Sequence, residues 1–284
     1  MSKITPQMVK DLRERTGAGM ADCKKALTEN DGNIDSAIEY LRKKGAASAA
    51  KRADRETNEG LIITKTNKDN TKAVLAEITC ETDFVAKNQD YIDYVNAVAN
   101  SLMNNDVDTV DQLLTQDVDG NTVQDLHNDI LAKFNEKIEI GRLSKMNSTG
   151  YIEAYIHSGS KLAVLVDFSI SNINEEAKGL IKDIAMQIAA MSPISVDRTG
   201  VDQSVLDKEK EIYIEQAIQE GKTPEIAQRV ADGRVNKFYK ENCLLEQIFV
   251  KDSKKTVNDV VKDLSTMTDA DVKINKFTRI AIGS

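Results

Sequence analysis

The sequence predicts an α+β fold from three observations: helical spacing at the N-terminus, an internal duplication, and a helical insertion late in the chain. Apolar residues recur at helical spacing in residues 1–45, residues 60–103 align with residues 150–193, and helical spacing returns in residues 200–240. Two strand-like runs followed by a helical run indicate a sheet covered by a helix. We therefore predict an N-terminal three-helix bundle, a duplicated antiparallel sheet-plus-helix core, and an inserted antiparallel two-helix coiled-coil hairpin.

The predicted domain boundaries follow from the same patterns. They place the bundle at 1–45, a linker at 46–59, one core subdomain at 60–148, the second at 149–199 and 241–284, and the hairpin at 200–240. The stretch "KKGAASAAKRADRETN" (43–58) is small and charged without an apolar stripe, which is typical of a linker or an exposed helix.

The first three helices have recognisable start and stop signals. Thr5 followed by Pro6 is an N-cap with proline at the first helical position. We expect a second helix from Met20 to Glu29 and a third that begins near Ile34, after the turn "NDG". So small a bundle is marginally stable alone, which is typical of a module that docks on partners.

The duplication is the most informative feature of the sequence. At an offset of 90 residues and without a gap, Gly60 matches Gly150 and "AVLAEIT" (73–79) matches "AVLVDFS" (163–169). Each copy is expected to contain two antiparallel strands and a covering helix.

The second copy is interrupted by the predicted hairpin. Thr223 and Pro224 start its second helix, and the apolar stripe of its first helix is expected to contain Leu206, Tyr213, Ala217 and Ile218. The outer face of so thin a hairpin contacts either another chain or the protein's own core. Beyond it, "CLLEQIFV" (243–250) and "INKFTRIAIG" (274–283) alternate like strands and are expected to complete the second sheet, with a helix between them.

Composition and motifs exclude several classes of function. The 284 residues are 40% apolar and 30% charged, as in ordinary folded domains, and contain three scattered cysteines and two histidines. These numbers argue against a disulfide framework and against a Cys- or His-based metal site. No catalytic motif of hydrolases, P-loop proteins or metalloproteases occurs, so we expect neither an enzyme nor a cofactor, unless carboxylates converge in space. Without a signal-peptide or membrane-spanning run, the expected location is the cytoplasm.

The charge is unevenly distributed along the chain. The net charge is −8, yet residues 1–55 carry 12 lysine and arginine against 8 acidic side chains. An acidic body argues against wrapping nucleic acid, whereas a basic module could be steered toward an acidic protein surface. RNA binding by this basic module is the alternative function that the sequence leaves open.

One stretch, "ITCETDFVAKNQDY" (78–91), places apolar residues unexpectedly. Thr82 and Asp83 have the chemistry of a helix start, and Phe84 and Val85 then occupy the first turn, which usually faces solvent. One interpretation is that the pair belongs to the core, because Phe84 lies seven residues before Tyr91.

The other interpretation is that the pair is exposed for binding. At the offset of 90, the second copy has the polar residues Asn174 and Glu175 in these positions, so the shared fold does not require apolar side chains there. A one-residue shift that uses Ile173 would instead favour the core. An exposed Phe-Val pair beside an acidic residue is typical of an interface hot spot.

Two long motifs resemble those of one family. "TDFVAKN" (82–88) closely resembles the signature of translation elongation factor Ts, the guanine-nucleotide exchange factor for elongation factor Tu. "LRERTGAGMADCKKAL" (12–27) resembles that family's N-terminal signature, and "GRVNKF" (233–238) also fits. The resemblance extends from Met1 to about Ile282.

The resemblance implies a ubiquitin-associated-like bundle, two related core subdomains and a dimerisation hairpin. It also implies that four residues displace Mg²⁺ from elongation factor Tu: Thr82, Asp83, Phe84 and Val85. The partner would be elongation factor Tu in its GDP-bound and nucleotide-free forms. Phe84 would wedge between partner helices beside the nucleotide site, and the chain itself would bind no nucleotide. Further partner contacts implied are Lys87, His157 and Lys24.

The sequence departs from the family pattern in two places. Many members continue past the last strand into a C-terminal helical module, whereas this sequence ends at "RIAIGS" (279–284), so that contact is not expected. Gly141 stands where the family often has a second arginine, and the sequence offers no reason for it.

Overall fold

The computed structural model describes residues 4–50 and 52–283. Its helices are α1 (Pro6–Thr16), α2 (Met20–Glu29), α3 (Ile34–Ala50), α4 (Asp83–Ala86), α5 (Gln89–Asn104), α6 (Val110–Leu114), α7 (Val123–Lys133), α8 (Glu175–Met191), α9 (Gln203–Gln219), α10 (Pro224–Asn242) and α11 (Val257–Thr268). Its strands are β1 (Glu59–Thr66), β2 (Lys72–Cys80), β3 (Asp117–Val118), β4 (Asn121–Thr122), β5 (Ile138–Asn147), β6 (Tyr151–Ile156), β7 (Leu162–Phe168), β8 (Ile248–Phe249), β9 (Asp252–Thr256) and β10 (Ile274–Ala281).

The N-terminal helices begin where the sequence predicts. The Thr5 hydroxyl accepts a hydrogen bond from the backbone N of Met8, and α2 has the predicted limits. The third helix, however, continues to Ala50, so the predicted boundary at residue 45 falls inside a helix. The first part of the expected linker is therefore helical.

The bundle packs on the core of its own chain. The Arg42 guanidinium donates to both carboxylate oxygens of Asp129 on α7, at 2.6 and 2.8 Å. A Cβ atom on Gly45 would lie 3.0–3.1 Å from atoms of Ala132, so α3 and α7 approach closely at this point. The bundle therefore has a defined position relative to the first core subdomain.

The core contains two three-stranded antiparallel sheets that face each other. Their strand orders are β1-β2-β5 and β6-β7-β10, so β2 and β7 are the central strands. One face of each sheet contributes to a shared apolar layer, made of Ile62, Ala73, Leu75, Met146, Ile152, Ala163, Leu165 and Ile280. The opposite faces are covered by α5 and α7 in the first copy and by α8 and α11 in the second. The alternating side chains of each strand therefore build four layers, helix–sheet–sheet–helix.

The two copies contact each other through equivalent atoms. The backbone N of Ile62 donates to the carbonyl O of Ser160 at 2.6 Å, and the backbone N of Ile152 donates to the carbonyl O of Asn70 at 2.7 Å. These two bonds exchange under the offset of 90 residues, as the two contacts of an isologous interface do. The copies are therefore related by an approximate twofold axis.

Close backbone contacts explain why both copies of the repeat have a glycine at this position. A Cβ atom on Gly60 would lie 2.2 Å from the carbonyl O of Ile78, and one on Gly150 would lie 2.0 Å from the carbonyl O of Phe168. Each strand start therefore approaches the backbone of its neighbour too closely for any side chain.

Gly141 is required for a different steric reason: it leaves room for a neighbouring side chain. A Cβ atom there would lie 2.8 Å from Oε2 of Glu77. The free space lets the buried Glu77 carboxylate accept from Nε and Nη2 of Arg142, both at 2.8 Å. Arg142 also donates to the carbonyl O of Ala281 at 2.6 Å, and so it links the first sheet to β10 of the second.

The C-terminal part confirms one predicted strand and contradicts the other. β10 joins β7 and completes the second sheet, and α11 lies where a helix is predicted. Residues 243–250 do not join that sheet, because only the two-residue β8 forms there and it pairs with β9. The buried Gln187 side chain donates to the carbonyl O of Ile248 and accepts from the backbone N of Val250, and so it takes the place of a neighbouring strand.

Helices α9 and α10 form an antiparallel pair. Thr223 caps α10 as predicted, and Ala217, Ala227 and Ala231 are buried between the helices. Ile218 is 48% exposed, so its place in the predicted stripe is wrong: it lies about 100° around the helix from Ala217. At the base of the pair, Arg198 binds Glu246 at 2.5 and 2.8 Å.

Among the helices within residues 4–50 and 52–283, none combines the length and the apolar character needed to cross a membrane.

Candidate functional site

The stretch that begins at Thr82 forms a one-turn helix between a strand and a long helix. Thr82 is the N-cap of α4, and its backbone O accepts from the backbone N of Ala86 at 3.2 Å. The turn ends at Lys87, and the Asn88 side chain then caps α5 by accepting from the backbone N of Asp90 at 3.0 Å. Thr82 is therefore the predicted cap, and Asp83 occupies the first helical position.

The two apolar residues of this turn face different surroundings. Phe84 is 84% exposed, whereas Val85 is 6% exposed and packs with Ala86 into the core of the first subdomain. The core interpretation is therefore wrong for Phe84, and the expectation that Val85 is exposed is wrong as well. The reason is the helical rotation of about 100° per residue, which turns neighbouring side chains toward different surroundings.

The second copy differs from the first at this point. There the chain runs directly into α8, whose N-cap is Asn174, the residue aligned with Phe84. Ile173, which aligns with Asp83, packs partly buried against the core. The second copy therefore has a capping asparagine where the first copy has the exposed aromatic side chain of Phe84.

An ion pair lies beside Phe84. The Lys87 ammonium donates to Oδ2 of Asp83 at 2.6 Å, across the single turn of α4. This contact lowers the pKa of Asp83, to which Lys161 contributes less, and raises the pKa of Lys87. Both groups are therefore charged near neutral pH and form a polar rim next to the ring.

A carboxylate distant in sequence holds the start of α4. Oε1 of Glu136 accepts from the Thr82 hydroxyl at 2.6 Å, and Oε2 accepts from the backbone N of Thr82 at 3.0 Å. The sequence gives no signal of this contact, because Glu136 follows a helix that the sequence analysis does not assign, 54 residues away.

The turn that contains His157 lies at the same end of β1 as α4. Its Ser160 accepts from β1, and Lys161 donates to Oε1 of Glu59 at 2.7 Å. Glu59 in turn pairs with Cys80, two residues before Thr82. His157 itself is exposed, with Nδ1 3.0 Å from the Tyr155 hydroxyl.

Lys24 occupies a separate place. It is exposed on α2 in the bundle, and none of the contacts described for residues 4–50 and 52–283 connects it with α4. The structure therefore brings His157 toward Phe84 and leaves Lys24 on another element. Within the same residues no group of three or more His, Cys, Asp or Glu side chains is placed to hold a metal ion.

A capped turn that holds an aromatic side chain in solvent beside a charged rim has the composition of a protein-binding hot spot. The fold and this site together favour a protein that acts by contacting another protein.

Comparison with known proteins identifies the family. Residues 81–284 match the family model "Elongation factor TS". The chain is 43% identical over 288 residues to elongation factor Ts of Chloroherpeton thalassium, with 100% of this chain and 99% of the relative covered. It is 42% identical to that of Chlorobium phaeobacteroides over 100% of both chains, and 44% identical to that of Clostridium kluyveri over 99% of this chain and 93% of the relative.

The chain belongs to the elongation factor Ts family. Its function is accordingly that of a nucleotide exchange factor in translation elongation, and the matches do not favour the RNA-binding alternative.

Proposed function

We propose that the protein binds elongation factor Tu in its GDP-bound and nucleotide-free forms and speeds GDP release by disturbing the partner's Mg²⁺ and phosphate site. The observation that carries this proposal is the exposure of Phe84 on a turn whose next two side chains are buried. Such a side chain can enter a partner without unfolding anything in its own chain.

The physical basis of exchange is linkage. A protein that binds the nucleotide-free partner more tightly than the GDP-bound partner must weaken GDP binding by the same factor. Burying one phenylalanine contributes about 1.5–3 kcal/mol, and 1.4 kcal/mol corresponds to a factor of ten. Because Phe84 is 84% exposed, nearly all of this free energy is available to the partner.

The residues around Phe84 have different parts in this proposal. Asp83 and Lys87 supply charged contacts at the rim, and His157 supplies a contact from the neighbouring turn. Thr82 and Val85 act from within the protein, since one caps α4 and the other anchors it in the core. We place Lys24 in a second contact made by the bundle.

The test is stopped-flow release of fluorescent GDP from elongation factor Tu. The protein at micromolar concentration should accelerate release, and Phe84→Ala should reduce that acceleration by roughly ten- to a hundredfold, from the loss of about 1.5–3 kcal/mol. Ile248→Ala is the matched control, because Ile248 is also an exposed apolar residue but lies in the second subdomain. No acceleration by the unmodified protein would overturn the proposal.

We also propose that the hairpin of α9 and α10 is a coiled-coil-type dimerisation element. The proposed location of the protein is the cytoplasm. Val205 and Ile212, two turns apart on α9, and Ile226 on α10 are exposed apolar residues. Sedimentation velocity should show a dimer that Ile212→Glu dissociates. A monomer at every concentration tested would refute this part alone.

A further inference from the structure

We propose that Glu136 is a positioning residue for nucleotide exchange, whose carboxylate fixes the start of α4 and thereby the direction of Phe84. This inference rests on the proposed function, because it concerns how Phe84 is presented to the partner.

The Glu136 carboxylate gathers three donors from the two residues before α4. Oε2 accepts from the backbone N of Glu81 at 3.2 Å and of Thr82 at 3.0 Å, and Oε1 accepts from the Thr82 hydroxyl at 2.6 Å. Hydrogen bonds to an ionised acceptor are stronger than neutral ones. The chain segment entering α4 is therefore held by one side chain.

The bond to the hydroxyl also sets the orientation of the cap. A threonine hydroxyl has one hydrogen, and here it points to Glu136. The hydroxyl oxygen of Thr82 then accepts from the backbone N of Val85, at a distance of 3.5 Å. That capping bond is long, so the contacts with Glu136 do more than the cap itself to define where α4 starts.

Residue Glu136 is itself well placed to act as a clamp. The Arg52 guanidinium, which is 4% exposed, donates to the carbonyl O atoms of Phe134 and Glu136 at 3.2 and 2.6 Å. In the reverse direction, Oε1 of Glu81 accepts from the backbone N of Lys137 at 2.5 Å. The segments before α4 and before β5 are thus joined by the carboxylates of Glu136 and Glu81.

Helix α4 needs such support because it has four residues and cannot be stable through its own hydrogen bonds. The ring of Phe84 is almost fully in solvent, so its direction is set by the backbone of α4 alone. Without the Glu136 carboxylate, Val85 stays buried as an anchor, but the turn before it gains freedom. The partner must then order that turn on binding, which lowers the free energy left for exchange.

The experiment measures GDP release by four proteins: the unmodified chain, Glu136→Ala, Phe84→Ala and the double variant. We expect Glu136→Ala to slow exchange roughly tenfold at saturating protein, which corresponds to about 1.4 kcal/mol. The double variant should be no slower than Phe84→Ala, because Glu136 acts through Phe84. Glu136→Gln, which keeps one accepting oxygen, should restore part of the loss.

Glu139→Ala is the matched control. Its carboxylate lies 3.0 Å from the Lys137 ammonium on the same segment, but its described contacts are outside α4. It should leave exchange unchanged, and thermal melts of all variants correct each rate for the folded fraction.

The outcomes separate the two proposals. If Phe84→Ala slows GDP release while folded Glu136→Ala is fully active, the role of Glu136 is overturned and the proposed function stays intact. Losses that add in the double variant also overturn it, since a purely structural effect of Glu136 would be independent of the ring. A fully active Phe84→Ala overturns the role of Phe84 and this inference with it, whereas no acceleration by the unmodified protein overturns the proposed function.

Discussion

The different exposure of Phe84 and Val85 predicts that two adjacent truncations separate binding from stability. Phe84→Ala removes a ring that is 84% exposed, so the free energy of unfolding should change by no more than about 0.5 kcal/mol. Val85→Ala removes two buried methyl groups at about 0.8 kcal/mol each and leaves a small cavity, so the protein should lose about 2 kcal/mol.

The assay is urea unfolding followed by far-UV circular dichroism, since the chain contains no tryptophan. The midpoint should shift for Val85→Ala and stay in place for Phe84→Ala, with equal slopes for both. Each variant's exchange rate is then expressed per folded molecule. A loss of about 2 kcal/mol in Phe84→Ala, with exchange intact in the folded fraction, would show that the ring belongs to the core and refute the reasoning.

Three further predictions concern stability. Burial lowers the pKa of His127 from 6.5 to about 4, so the unfolded chain binds an additional proton between these values. The free energy of unfolding should therefore fall by at most about 3 kcal/mol as the pH drops through this window. In urea titrations at pH 7 and 4.5, His127→Gln should lose less stability between the two pH values than the unmodified protein. An equal loss in both proteins would contradict this prediction. Gly150→Ala should lower stability by about 2 kcal/mol or more, because its Cβ would meet the carbonyl O of Phe168 at 2.0 Å. Gly233→Ala, which meets no atom within 4 Å in the middle of α10, should be neutral or stabilising by up to about 1 kcal/mol in thermal melts.

Local signals predicted the helix starts correctly. The caps at Thr5, Thr82 and Thr223 are all present, because a capping hydroxyl and the backbone N that it accepts from lie within three residues. The strands of the repeat were also predictable, since their alternation and their duplicate at residues 150–169 are written in the sequence.

Features that depend on distant packing could not be predicted in this way. β5, the third strand of the first sheet, has half-buried polar residues and no strong alternation, and it forms because β2 offers it an unpaired edge. Residues 243–250 alternate like a strand, yet the buried Gln187 side chain bonds the carbonyl O of Ile248 and the backbone N of Val250.

The sequence by itself determined the class of fold and the duplication, because both are recorded in spacing along the chain, and it indicated the family through the motifs that begin at Leu12 and Thr82. Only the tertiary structure decided which of Phe84 and Val85 faces solvent, that Glu136 holds their helix, and that the His157 turn lies at the same end of β1. These arrangements join residues 54 or more positions apart, and their energies come from burial and hydrogen bonds that exist only once the two sheets have packed.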